Sequence, residues 1–147
     1  MDNKLKSKTR LAAIQLVSQQ LVNNQDIESI KADFDKHYRN TKIDNASEKI
    51  EYNVNFLSKL VNYFKEVDIK NFSIKVNQLI KFDRKFEKWD TLNKAVILVA
   101  ISELRNSEKD KINIILNDYI EISKSFVSSQ ETKFINAILD KIINEEK

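Results

Sequence analysis

Residues 92–104 read LNKAVILVAISEL, and from Ala95 to Ile101 no polar side chain interrupts the run. As a helix this stretch is apolar almost all round, so no face of it suits water and it belongs in the middle of a helical bundle. It falls well short of the roughly 20 apolar residues needed to cross a bilayer. The chain of 147 residues contains neither glycine nor proline. Tight hairpins favour glycine, whereas a helix uses it only past its C-terminus, where asparagine can substitute. Both observations point to an all-α fold. The same absence excludes phosphate loops and dinucleotide-binding turns, whose backbones need φ > 0 or approach phosphate too closely for a Cβ.

Outward from this central segment, apolar residues recur at helical spacing. Ala13, Ile14, Val17 and Leu21 form one stripe within a helix over about Thr9–Val22, ended by Asn23 and Asn24. Ile27, Ile30, Phe34 and Tyr38 mark a second helix from Asp26 to about Tyr38. Asp44, Asn45 and Glu48 offer a helix start, with Ile50, Val54, Leu57, Val61 and Phe64 as the stripe behind it. Ile69, Phe72, Val76 and Leu79 give a fourth. After the central helix come Ile112, Ile115, Tyr119, Ile122 and Phe126, then Phe134, Ile135, Ile138, Leu139 and Ile142. Ser128 and Glu131 have capping-box spacing before the last of these. The expectation is a compact single domain over residues 1–147 with about seven helices, and a hydrophobic content of 41% is enough for one core.

Charge is concentrated at the start of the chain. Residues 1–10 hold Lys4, Lys6, Lys8 and Arg10 against the single acid Asp2, which equals the +3 of the whole chain. Residues 11–147 therefore balance. A basic arm on a neutral body suits a local anionic contact, with nucleic acid or an anionic membrane surface as candidates, while a frayed, solvated terminus is the plainer reading. Residues 1–8 are expected to be a flexible basic arm, with Ser7 or Thr9 capping the first helix and Arg10 in its first turn. Extended, the arm aligns its four cations; helical, it splits them into the pairs 4/8 and 6/10.

Catalytic chemistry is not expected. There is one histidine, His37, and no cysteine. A disulfide and a thiolate metal site are thereby excluded, and no second imidazole is present to share a metal. The acids sit among lysines on helix faces, as in SEKIEYN and RNSEKDK, which reads as salt-bridging surface. Binding without turnover, no cofactor, no metal and a cytoplasmic location are the expectations, the polar start lacking the apolar segment of a signal peptide.

Four segments together resemble the NusB family of bacterial transcription antitermination factors. The basic arm runs into Ala13-Ile14-Gln15-Leu16-Val17, similar to a basic cluster followed by an Ala-Leu-Gln-x-Leu-type helix. Lys94–Leu104 is similar to the family's buried helix ending in Glu-Leu. Leu116–Lys124, LNDYIEISK, resembles Ile-Asn-Glu-Ala-Val-Glu-Leu-Ala-Lys. Lys133–Asp140, KFINAILD, resembles Lys-Phe-Val-Asn-Gly-Val-Leu-Asp and is the most specific of the four. The chain departs from the pattern at Ala137, where glycine is usual, at Leu98, where arginine is frequent, and at Ser18, where an aromatic is found. Lysine also outnumbers arginine in the arm, and it lacks arginine's planar donor fork.

The resemblance implies an all-helical bundle of two subdomains that binds the single-stranded boxA element of nascent ribosomal RNA. It does so together with NusE, a ribosomal protein, and joins other Nus factors on RNA polymerase to suppress termination. On this reading Lys4, Lys6, Lys8, Arg10 and Lys133 contact phosphates, while Gln15 and Phe134 read or stack bases. The periodicity alone makes Phe134 a core residue and Gln15 a solvated one. Two competing functions stand beside it. One is a helical adapter that binds only protein. The other is the NusB-like domain that precedes some ribosomal RNA methyltransferases, disfavoured by the lack of glycine for a cofactor loop and of a catalytic domain before the chain stops at Lys147.

Overall fold

The structure is a computed structural model that describes residues 1–38, 51–81 and 84–146. The helix start expected at Asp44, Asn45 and Glu48, the stripe residue Ile50 and the side chains of His37 and Tyr38 lie outside the described residues. Among the described residues there are seven α-helices and no strand: α1 (Asn3–Asn23), α2 (Ile27–Tyr38), α3 (Val54–Lys65), α4 (Ile69–Leu79), α5 (Thr91–Arg105), α6 (Ile112–Ser123) and α7 (Ser129–Glu145). Short 3₁₀ turns at Phe86–Lys88 and Lys109–Lys111 lead into α5 and α6.

Helix α5 is the hub that its sequence requires. Every residue from Ala95 to Leu104 is buried, and α1, α3, α6 and α7 all pack on it. Helices α1, α2 and α3 gather on one side, while α4 packs with α7 and α6 with α7 on the other. The two groups share one continuous apolar core rather than two separate ones.

The helix ends follow from side-chain chemistry. Ser128 Oγ accepts from the Glu131 N–H and the Glu131 carboxylate accepts from the Ser128 N–H, the reciprocal box expected before α7. Asn24 closes α1 in the left-handed region, at φ 54°, where asparagine is tolerated in place of glycine. Asn53, Asp68 and Asp90 cap α3, α4 and α5. The direction of packing matters for the site. Asn93 near the start of α5 donates to Glu131 near the start of α7, and Arg105 at the end of α5 pairs with Glu146 just past α7. Helices α5 and α7 therefore run parallel, whereas α1 meets the end of α5 with its own first turns.

The basic start is helical from Asn3 rather than an extended arm. Helix α1 begins at Asn3 because the Asp2 carboxylate accepts from the Leu5 N–H at 2.7 Å, making Asp2 the N-cap. Neither Ser7 nor Thr9 caps the helix. Thr9 is buried, donates to the Leu5 carbonyl at 2.7 Å and accepts from the Asn53 N–H at 2.9 Å, tying α1 to the entry of α3. Aspartate is as good an N-cap as serine, so the cap nearest the terminus extends the helix by two turns.

Candidate nucleic-acid interface

Because residues 4–10 are helical, their four cations do not act as one row. At 100° per residue Lys4, Lys8 and Gln15 fall within about 40° of one another on α1, and the axial distance from Lys4 to Gln15 is about 16 Å. Lys4 and Gln15 are exposed, and Lys8 is half-buried beside the exposed Glu51, with which it pairs at 3.3 Å. Gln19 continues the same exposed stripe. Lys6, on the opposite side of the helix, is half-buried.

Arg10 faces inward, contrary to the phosphate contact expected of it. Only 7% of its surface is exposed. Its Nε and Nη2 donate to the two oxygens of Glu103 at 2.9 and 2.7 Å, and Nη1 donates to Asp118 at 2.6 Å. Tyr119, fully buried, donates its hydroxyl to Glu103 at 2.7 Å, and Ser7 donates to the other oxygen of Asp118 at 2.5 Å. The guanidinium also lies over the rings of Phe56 and Tyr119, 5.4 and 5.6 Å from their centroids. Burial works against the Arg10 charge, but the hydrogen bond and charge of Glu103, helped by Tyr119 and Asp118, outweigh it and hold the proton more tightly than usual. Burial and the neighbouring Glu103 push the Tyr119 phenol well above its ordinary range. The cluster locks α1 to α5 and α6, and at neutral pH it contains Arg10 as a cation and Tyr119 as a neutral donor.

Lys133 and Phe134 sit at the opposite end of α5. Lys133 is exposed and Phe134 half-buried. The Phe134 ring meets the half-buried Trp89 edge-on, centroids 5.0 Å apart at 68°, and Trp89 meets the buried Phe86 at 5.0 Å and 70°. Glu131, one turn before Lys133 and Phe134, is held below its ordinary value by hydrogen bonds from Asn93 and Ser128. From Asn93 to Glu103 the axis of α5 rises about 15 Å. The structure thus places Lys4, Lys8 and Gln15 on α1 and Lys133 and Phe134 on α7. Gln15 lies some 7 Å along α1 from Arg10.

Trp89 was not among the residues expected at this surface. Its segment, KFDRKFEKWD at 81–90, has no helical period, but it interleaves basic and aromatic side chains, a pattern suited to single-stranded nucleic acid. The family departures fall in different settings. Leu98 is fully buried inside the core, Ala137 is exposed on α7 and Ser18 is half-buried on α1. Among the described residues no group of three or more His, Cys, Asp or Glu side chains could hold a metal ion, and no helix is long and apolar enough to cross a membrane.

Fold and core together define an all-helical bundle organised on one buried central helix. Residues 7–144 match the profile of the NusB family, and the chain belongs to that family. It is 32% identical over 145 residues to the transcription antitermination protein NusB of Rickettsia bellii, covering 97% of this chain and 92% of the relative. Similarity of 22% over 142 residues extends to the protein of the same name in Sinorhizobium fredii, covering 92% of this chain and 84% of the relative. With the Shewanella frigidimarina protein of that name it shares 30% identity over 90 residues, 58% of this chain and 67% of the relative.

Proposed function

We propose that this chain is a cytoplasmic transcription antitermination factor that binds single-stranded boxA RNA of nascent ribosomal transcripts together with NusE, and joins RNA polymerase with other Nus factors. Membership of the NusB family supports the role. The observation that carries the RNA contact is the half-buried Phe134 ring, braced by Trp89 and flanked by the exposed Lys133. A ring fixed by its neighbour offers a preformed platform for an unstacked base, and a cation one position away suits the adjoining phosphate.

Lys4 and Lys8 supply further phosphate contacts, with Gln15 on the same stripe as a donor and acceptor for a base edge or sugar. Lys6, on the opposite side of α1, adds only longer-range positive charge. Arg10 contributes indirectly: it holds α1 against α5 and α6, so the outward stripe has a fixed orientation. The balanced charge of residues 11–147 makes the affinity of this chain alone weak, and NusE completes the site.

Fluorescence anisotropy of a labelled boxA-type RNA, with and without the NusE of the same organism, tests the proposal. Binding that tightens with NusE and weakens with salt is expected. A stable complex with NusE that leaves RNA affinity unmeasurable would instead favour the protein-only adapter.

A further inference from the structure

Beside α4, and bordered by residues 80–81 and 84–85, lies an open cleft of about 430 Å³. Lys81, Arg84 and Lys85 line it together with Asn77 and Gln78 of α4 and the exposed Ile74, and among the described residues no carboxylate lines it. All three cations are exposed, and none forms an ion pair among the described residues. Two nearby acids among the described residues are already engaged. Glu87 accepts from the Asn77 amide at 3.0 Å, and Asp90 accepts from the Leu92 N–H at 3.1 Å as the cap of α5.

We infer that this cleft is a second phosphate-binding site, which takes the backbone of the same single-stranded RNA whose base stacks at Phe134. The inference rests on the RNA-binding reading and extends it to residues outside both α1 and α7. Its basis is continuity of the surface. The Trp89 indole N–H donates to the Arg84 carbonyl at 3.0 Å, and the Trp89 ring packs on Phe134, so the cationic segment is fastened to the aromatic platform through one side chain. The Asn77 Oδ1 accepts from the Phe86 N–H at 2.8 Å and fixes the same turn to α4. Three exposed cations beside an aromatic pair is the combination that tracks a single strand: charge along the backbone and a ring for a base. An acidic protein segment would use the charge without needing the platform, so RNA is the occupant the arrangement favours.

The test compares the full chain with the triple variant Lys81→Gln, Arg84→Gln, Lys85→Gln in salt titrations of a short labelled oligouridylate, read by anisotropy. Thermal melting should be unchanged, since the replaced side chains are exposed. Loss of three contacts should make the slope of log K against log salt shallower by about 2, at about 0.7 per contact for a single strand. Between 50 and 200 mM salt, wild-type affinity should then fall about 20-fold more than that of the variant. Equal affinity and equal slope for the two proteins overturn the inference and leave the Phe134 platform standing. Loss of NusE binding with the RNA slope unchanged also overturns it, and gives the cleft to a protein partner. If the wild-type chain binds no RNA even with NusE, the antitermination reading itself fails.

Discussion

Replacing Arg10 separates a structural lock from an RNA contact. In Arg10→Met the aliphatic stem is largely kept, but three charge-assisted hydrogen bonds of 2.6 to 2.9 Å disappear. Glu103, 5% exposed, is left with the Tyr119 hydroxyl as its remaining side-chain partner. Removing one member of a buried charged pair leaves the other charge unpaired, which costs about 3–5 kcal/mol of folding stability. At 2–4 °C per kcal/mol for a chain of this size, the melting temperature should fall by about 6–20 °C. Urea denaturation followed by helical circular dichroism and Trp89 fluorescence reads the change, with the m-value unaltered. Exchanging both members for apolar residues and removing the hydroxyl that Glu103 accepts from, Arg10→Met with Glu103→Leu and Tyr119→Phe, should recover part of the loss, because the buried Glu103 charge and the Tyr119 hydroxyl are then gone, while the half-buried Asp118 keeps Ser7. RNA binding by the folded fraction of Arg10→Met should keep its salt slope. A stability loss below about 1 kcal/mol, the range of an exposed ion pair, combined with a shallower salt slope, would refute the reasoning and return Arg10 to the RNA surface.

Three further outcomes follow from the geometry. Asp2→Ala should cost about 0.5–2 kcal/mol in urea denaturation through loss of the α1 cap, whereas no cost would indicate a start that frays regardless. Phe134→Ala should weaken RNA binding by about 1–3 kcal/mol with little change in salt slope, and a strongly destabilised variant whose folded fraction binds normally would make Phe134 core only. The Glu146 carboxyl shows the opposing effects of burial, which raises it, and of hydrogen bonds from Arg105 and Lys75, which lower it further, for a net depression. Its contribution to stability is therefore present above the ordinary value of 4.5 and lost as pH falls through the lower folded value; a Glu146→Gln variant should show a flatter acid limb, and an unchanged limb would exclude the linkage.

The elements legible in the sequence were those specified by local chemistry. Helix α5 announces its burial because its apolar character is continuous, and α7 announces its start because Ser128 and Glu131 cap each other across three residues. The fate of Arg10 was partly legible as well. It precedes Ala13, Ile14 and Val17 by three, four and seven positions, which continues the inward stripe of α1. Glu103 in the buried helix needs a cation for the same reason. Their pairing was not legible, since 93 positions separate them and no local rule connects them. The Trp89 segment was missed for a different reason: a 3₁₀ turn has no amphipathic period, so a search by stripe passes over it, although its alternating basic and aromatic residues were in view.

The central claim is that RNA lies across the outward stripe of α1 and the Phe134–Trp89 pair. Photocrosslinking the chain, with NusE, to boxA-type RNA carrying 4-thiouridine, followed by mass spectrometry of the peptides, tests it most directly. The account predicts crosslinks in the peptide that begins at Phe134 and in those spanning Trp89 and Gln15. Crosslinks confined to other faces of the bundle, or efficient complex formation with NusE and no crosslink to this chain, would contradict it.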